Sequence, residues 1–257
     1  MRIVVLDTET TGMKDEDQVL ELALVSWQHP SDSELSDQWS SLIKPTCPVS
    51  TGARAVHHVS DAMLAEQWTM EELLQRRGLP ELGIGPGDLG DEAEDDEYLN
   101  DRVCVAAHNL KFDWGKLIAS GVAEHRMPAM RICTWRCAMH LYPDSEDGHS
   151  NQVLRYHLNL VVPQVTDLPP HRALPDAVVT AALLRHMLES KTPDELVKLT
   201  TTPVNLKRVR FGKHFGMLWK DVPSDYLDYI LKRDFDTDVM HTARTVLESR
   251  SRPLLRR

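Results

Sequence analysis

No apolar run in the 257 residues approaches the roughly 20 needed to cross a bilayer. The opening Met-Arg-Ile-Val-Val-Leu-Asp has too short an apolar stretch for a secretory signal and runs into acid, so the expected location is cytoplasmic. Cysteine is scarce: Cys47, Cys104, Cys133 and Cys137 are all there are, with no Cys-x-x-Cys pair. That excludes a disulfide scaffold. Cys133, Cys137 and His140 match no standard zinc spacing. Basic excess is also missing. The net charge is −10, which taken alone counts against phosphate binding. Two things weaken that objection: much of the acid lies between Asp88 and Glu97, and catalytic carboxylates are neutralised by bound divalent metal. No internal repeat is visible. What remains is ordinary for a folded chain, with 42% hydrophobic and 26% charged residues. The length suits one α/β domain plus a small appendage.

Residues 2–6 read as a buried strand, 19–27 as a second and 39–44 as a third, ended by Pro45. Short turns between them predict an antiparallel meander. Ser60 and Thr69 are candidate caps for helices near 61 and 70–77. Residues 78–101 are Gly-rich and acidic and read as a solvated loop or partly disordered insertion. Val103–Ala107 resumes as a buried strand, followed by a helix over 113–120, a short strand at 131–133, and helices near 134–141 and 150–157. Ala173–Leu188 is the clearest helix, with Ala177, Ala181, Leu184 and Leu188 at helical spacing. Pro175 is tolerated only in a first turn, which fixes the start near Ala173. The expected organisation is a mixed-sheet α/β domain over 1–190, a linker over 191–205 and a small module over 206–257.

Three segments carry chemistry. In Val-Val-Leu-Asp7-Thr8-Glu9-Thr10-Thr11-Gly12, alternation puts Asp7 and Glu9 on one side of a strand. Two acids at the end of an apolar strand are costly unless paired, and hard Mg²⁺ or Mn²⁺ is the simplest partner. The plain alternative is a polar strand end. In His108-Asn109-Leu-Lys-Phe112-Asp113, an acid sits early in a helix, where it also serves as an ordinary first-turn carboxylate. In His171-Arg-Ala-Leu-Pro175-Asp176, the forced helix start leaves His171 in a loop and Asp176 in the first turn. His108 and Asp113 have the same spacing as His171 and Asp176, so spacing does not say which histidine acts in catalysis.

Taken in order, Asp-x-Glu-Thr-Thr-Gly, His-Asn-x-x-Phe-Asp and His-x-x-x-x-Asp resemble the DEDDh class of DnaQ-like 3′→5′ exonucleases, whose fold is ribonuclease H-like. Ile132-Cys133-Thr134, Ser150-Asn151, His171-Arg172-Ala173-Leu174 and the tail residues Phe211-Gly212-Lys213, Gly216 and Tyr226-Leu227 resemble the exonuclease X group within it. The acidic insertion and Pro175 depart from that pattern. The resemblance implies that Asp7, Glu9, Asp113 and Asp176 hold two divalent ions, Mg²⁺ or Mn²⁺, and that His171 is the general base. It further implies substrate contacts by His57 or its neighbour His58, and by Thr8, Thr10, His108, Asn109 and Phe112. DNA is the expected substrate. RNA 3′-end trimming of the RNase T type is the alternative, and a catalytically silent interaction module is the alternative of another class. Lys207, Arg208, Arg210 and Lys213, with Phe211 among them, form a basic segment suited to gripping a nucleic-acid backbone and stacking a base. The other use for this module is dimerisation, giving a homodimer.

Overall fold

The computed structural model describes residues 1–29, 37–87, 103–143, 145, 147–162 and 171–251. The chain divides into two units, Met1–Cys137 with Ser145–Thr200, and Ala138–Asp144 with Thr201–Arg257.

The first unit is built on a five-stranded mixed sheet of order β3-β2-β1-β4-β5. The strands are β1 (Arg2–Thr10), β2 (Val19–Gln28), β3 (Asp37–Leu42), β4 (Val103–Ala107) and β5 (Met130–Cys133). β1–β2 and β2–β3 are antiparallel, while β1–β4 and β4–β5 are parallel. This is the expected meander followed by parallel strands. β1 is central and apolar, and Ile3 through Leu6 are fully buried. Its alternation splits the sheet. Val4 and Leu6 join a core with Leu73, Leu74, Trp114 and Leu117 on one face, and Asp7 and Glu9 lie on the other.

Ten α-helices are described: α1 (Thr51–His57), α2 (Asp61–Leu64), α3 (Met70–Arg76), α4 (Leu110–Ala119), α5 (Thr134–Leu141), α6 (Asn151–His157), α7 (Ala173–Leu188), α8 (Pro193–Thr201), α9 (Ser224–Leu231) and α10 (Thr237–Ser251). α7 packs on β1 and β2, and α4 on β1, β4 and β5. As expected, α7 starts at Ala173 with Pro175 in its first turn.

Two expectations fail in their boundaries. Residues 78–87 are not a solvated loop. Leu79 and Ile84 exchange backbone hydrogen bonds of 2.7 and 3.1 Å around a 3₁₀ turn (Pro80–Leu82). Leu79, Leu82 and Ile84 are buried in the core. Gly78 has φ 66°, and an added Cβ would overlap the Ile84 carbonyl oxygen, so glycine is required there. The rest of the expected acidic insertion lies outside the described residues. The linker expected over 191–205 is largely helix α8. Thr192 and Glu195 form a reciprocal cap there: the Thr192 N–H donates to Glu195 Oε2 at 2.8 Å and the Glu195 N–H to Thr192 Oγ1 at 3.3 Å.

The second unit has its own core of Val209, Trp219, Val222, Leu227, Ile230, Val239 and Ala243. α9 packs on α10. No described helix is long and apolar enough to cross a membrane.

Candidate active site

β1 runs further than its parallel neighbour. β4 pairs with Arg2–Val5 only, so the backbone of β1 beyond that point has no ladder partner on that side. Asp113, in the first turn of α4, fills the gap. Its Oδ1 accepts from the Thr8 N–H at 3.1 Å and from Thr8 Oγ1 at 2.7 Å. The strand thus fixes the carboxylate of Asp113 through a residue between Asp7 and Glu9.

On the other side of β1, one carboxylate oxygen from each of Asp7, Glu9 and Asp176 lies within 4.8 Å of the others. Asp176 comes from the first turn of α7. Its Oδ1 accepts from Gln152 Nε2 at 3.1 Å and its Oδ2 from the His171 N–H at 2.8 Å. Asn151 Nδ2 donates to the Asp176 carbonyl at 3.0 Å and to Thr180 Oγ1 at 3.0 Å, tying α6 to α7.

The electrostatics agree with this crowding. Burial, then the charges of Asp113, Asp176, Glu9 and Glu21, push Asp7 well above the usual carboxylate range. Burial, then Asp176 and Glu21, push Glu9 up to about 8, against the opposing pull of Arg172. Asp113 is raised by burial against its Thr8 hydrogen bonds. Asp176 is raised by burial against its bonds from His171 and Gln152. Clustered acids of this kind are stable in charged form only with a cation among them.

His171 and His108, alike in spacing, differ in structure. His171 is exposed, has φ 65°, and its ring makes no hydrogen bond to a described residue. His108 is engaged at both nitrogens, Nδ1 with Thr134 Oγ1 at 3.0 Å and Nε2 with the His149 carbonyl at 2.8 Å. A carbonyl only accepts, so Nε2 carries the proton. Burial pulls the pKa of His108 down to about 4. His108 is a neutral link between β4, α5 and the loop before α6.

His57 ends α1 and is buried, with Nδ1 accepting from the Val59 N–H at 2.9 Å. Its Nε2 must then hold the proton in the neutral ring, and that nitrogen is buried without a partner among the described residues. Burial lowers its pKa, and the charges of Glu21 and Arg172 act on it in opposite senses. His58 is the exposed left-handed cap of α1, φ 58°. Thr8 and Thr10, expected at the substrate, are buried. The Thr8 hydroxyl is engaged by Asp113 and that of Thr10 donates to the Gly12 carbonyl at 2.9 Å. Both act as supports of the strand end. Asn109 is exposed at the start of α4 with φ 74°, and Phe112 is half-buried with Lys116 over its ring at 5.2 Å. Cys137 Sγ contacts the Leu196 carbonyl at 3.4 Å, and His140 Nε2 lies 3.2 Å from the Thr202 carbonyl.

Glu21 is not singled out by the sequence motifs, and Arg172 enters them only within His171-Arg172-Ala173-Leu174, with no role assigned. Glu21 on β2 is in register with Glu9 and is buried. It receives Arg172 Nε at 2.8 Å, Arg172 Nη2 at 2.7 Å and the Ala173 N–H at 3.3 Å. Glu21 sits within an otherwise apolar strand, and that is the available signal: a buried acid demands a partner.

In the second unit, Lys207, Arg208, Arg210 and Lys213 are exposed. Phe211 is half-buried. It packs against the core, stacked on Phe235 at 5.4 Å and tilted to Trp219 at 6.3 Å.

Known proteins can be set beside this geometry. The RNase_T exonuclease family matches residues 4–78. The chain is 29% identical over 220 residues to exodeoxyribonuclease 10 of Escherichia coli K12, covering 85% of this chain and 84% of that one. It is 29% identical over 203 residues to the PolC-type DNA polymerase III of Thermotoga petrophila, 77% of this chain and 12% of that one. A solved exonuclease X, in complex with 5′-overhanging duplex DNA, superposes with TM-score 0.56 at 27% identity, covering 77% of this chain and 99% of that one. The nuclease domain of 3′hExo, a DEDDh family member bound to rAMP, shares the fold at TM-score 0.52 and 15% identity, covering 73% of this chain and 92% of that one. The mixed sheet is accordingly ribonuclease H-like, and in sequence and fold the chain is similar to 3′→5′ exonucleases of the DEDDh class, a divalent-metal-dependent group of phosphodiesterases.

Proposed function

We propose that the chain hydrolyses the 3′-terminal phosphodiester bond of DNA and releases nucleoside 5′-monophosphates. The convergence of Asp7, Glu9 and Asp176 within 4.8 Å carries this reading, with Asp113 tied to the same strand end. The donor set is all carboxylate oxygen, which suits Mg²⁺ or Mn²⁺, and the raised pKa values mark a site that lacks only positive charge. In this reading Asp7, Glu9, Asp113 and Asp176 hold two such ions, which when bound supply an activated water and neutralise the leaving 3′-oxygen.

The protein groups have separate tasks. His171 takes the proton of the attacking water, because its ring is exposed and makes no hydrogen bond to a described residue, while its own N–H holds Asp176. The unpartnered Nε2–H of His57 donates to the substrate end. Asn109 and Phe112 seat the terminal nucleotide. Glu21 and Arg172 are positioning residues: three hydrogen bonds fasten the turn between His171 and α7 to the strand beside Glu9. Arg172 is thereby held by Glu21, close enough to Glu9 for its charge to oppose the rise in the pKa of that acid. A cytoplasmic location fits this activity.

DNA is favoured over RNA because the relatives near 27–29% identity are named for deoxyribonucleolytic action or solved with DNA. The RNA-related neighbours share the fold alone. Matched DNA and RNA oligonucleotides in direct competition test this. Preferential shortening of DNA with Mn²⁺ supports the reading, and preferential shortening of RNA overturns the substrate assignment.

A further inference from the structure

The basic segment of the second unit is a hairpin with a hydrophobic tip. Arg208 and Leu218 form an antiparallel bridge. The Val209 N–H donates to the Met217 carbonyl at 2.9 Å, the Gly216 N–H to the Val209 carbonyl at 2.8 Å and the Trp219 N–H to the Lys207 carbonyl at 3.2 Å. Arg208 Nη1 caps the Gly216 carbonyl at 2.8 Å, and Gly216 takes φ 84° to close the turn. The hairpin is anchored at its base by Val209 and Trp219, which are 1% and 2% exposed in the core of the unit.

That anchoring presents Phe215 outward. Phe215 is 74% exposed and Met217 beside it 37%. Phe215 contributes nothing to the core, unlike Phe211 four residues earlier. Between Leu206 and Trp219 there are four cations, Lys207, Arg208, Arg210 and Lys213, and no acid, in a chain whose net charge is −10. Lys213 also lies over the Tyr226 ring at 5.1 Å. An exposed aromatic side chain on a hydrogen-bonded hairpin that carries four exposed cations and no acid matches a strand with negatively charged phosphates and stackable bases. An acidic protein would satisfy the cations but would leave the planar face of Phe215 without a matching group.

We propose that this hairpin is a single-stranded DNA-binding surface, in which Phe215 stacks on a base and Lys207, Arg210 and Lys213 contact phosphates. The proposal deepens the exonuclease reading and rests on it for the choice of DNA. It assigns the second unit to grip and the first to cleavage.

Binding of fluorescein-labelled dT20 to the full chain in EDTA, read by anisotropy between 50 and 200 mM salt, tests it. Phe215→Ala and Phe215→Leu should each weaken binding, the former by roughly 5- to 100-fold, while Phe215→Tyr keeps parental affinity. Lys207→Gln with Arg210→Gln should flatten the slope of log K against log salt by about 1.4, about 0.7 for each phosphate no longer neutralised. Parental affinity and slope in both Phe215→Ala and the double variant overturn the proposal, and are the outcome expected of a protein-docking surface. Mononucleotide release with Mn²⁺ is measured on the same preparations. Its absence in the parent strikes the exonuclease reading and leaves the binding result in EDTA to be judged by itself.

Discussion

The segments 108–113 and 171–176 both read His-x-x-x-x-Asp, yet the folded chain uses them in opposite ways. In the first, the acid is tied to the strand end at the site and the histidine is sealed off, with both His108 nitrogens engaged and its pKa pulled down to about 4. In the second, the acid joins the carboxylate cluster and the histidine ring is exposed, with no hydrogen bond to a described residue. The difference lies in what surrounds each histidine. His108 directly follows a buried strand and is held between it and Thr134. His171 precedes a helix whose start is fixed by Pro175, and it takes a left-handed backbone that costs about 1 kcal/mol or more. Glu21 holds that turn in place through Arg172 and Ala173. A spacing motif therefore reports which residues are near one another along the chain. The hydrogen bonds decide which of them is free to react.

Removing the second histidine separates the two segments most sharply. His171→Ala should lower kcat by about 10²- to 10⁴-fold with Mn²⁺ affinity retained, measured by single-turnover kinetics and calorimetry. Loss of metal affinity would instead make His171 a ligand.

The support beneath His171 comes next. Arg172→Lys keeps the charge but gives up the two-pronged hydrogen bonding to Glu21. It should lower kcat by roughly 10- to 100-fold with KM for an oligonucleotide within about twofold. A raised KM with unchanged kcat would mark Arg172 as a substrate contact.

Both segments deliver an acid to the strand end that carries Glu9. Glu9 titrates near 8 in the folded chain against an ordinary 4.5, so between those values the folded state holds a proton that the unfolded state has lost. The metal-free protein should therefore lose stability as pH rises from about 4.5 to about 8. Mn²⁺ should raise Tm by several degrees more at pH 8 than at pH 5, read by scanning fluorimetry. An equal shift at both values would show that these acids are not where the ion binds.

The smallest catalytic effect belongs to the first histidine. His108→Ala leaves the His149 carbonyl and the Thr134 hydroxyl without the imidazole they share. It should cost about 1–3 kcal/mol of stability, a drop in Tm of roughly 2–10 °C, while kcat stays within about twofold. A hundredfold fall in kcat at unchanged Tm would reverse the assignment of the two histidines.

Much of the site is legible in the sequence because strand alternation and helix starts are local rules. Asp7 and Glu9 follow from the period of β1, and Asp176 from Pro175. The Glu21–Arg172 pair is hidden because its partners are 151 residues apart and strand periodicity says nothing about what crosses a sheet face. Helix α1 escapes a sequence reading because Gly52 and the β-branched Thr51 and Val56 are weak helix formers. Its signal is the cap, Ser50, whose hydroxyl accepts from the Ala53 N–H at 3.1 Å. Helix α8 is hidden for a different reason. Thr192-Pro193-Asp-Glu195 has the composition of a chain breaker, yet it is a capping box with proline in the first turn. In residues 78–87 the glycines suggest solvent, and the three apolar side chains between them are the better guide.

The most direct test of the acid site is release of mononucleotides from 5′-labelled single-stranded DNA with Mn²⁺, comparing the parent with Asp7→Asn. The parent should shorten the strand progressively from its 3′ end, and the variant, equal in size but lacking the charge, should be at least about 10³-fold slower. A variant that shortens DNA as fast as the parent would contradict the assignment of the carboxylates to the metal site.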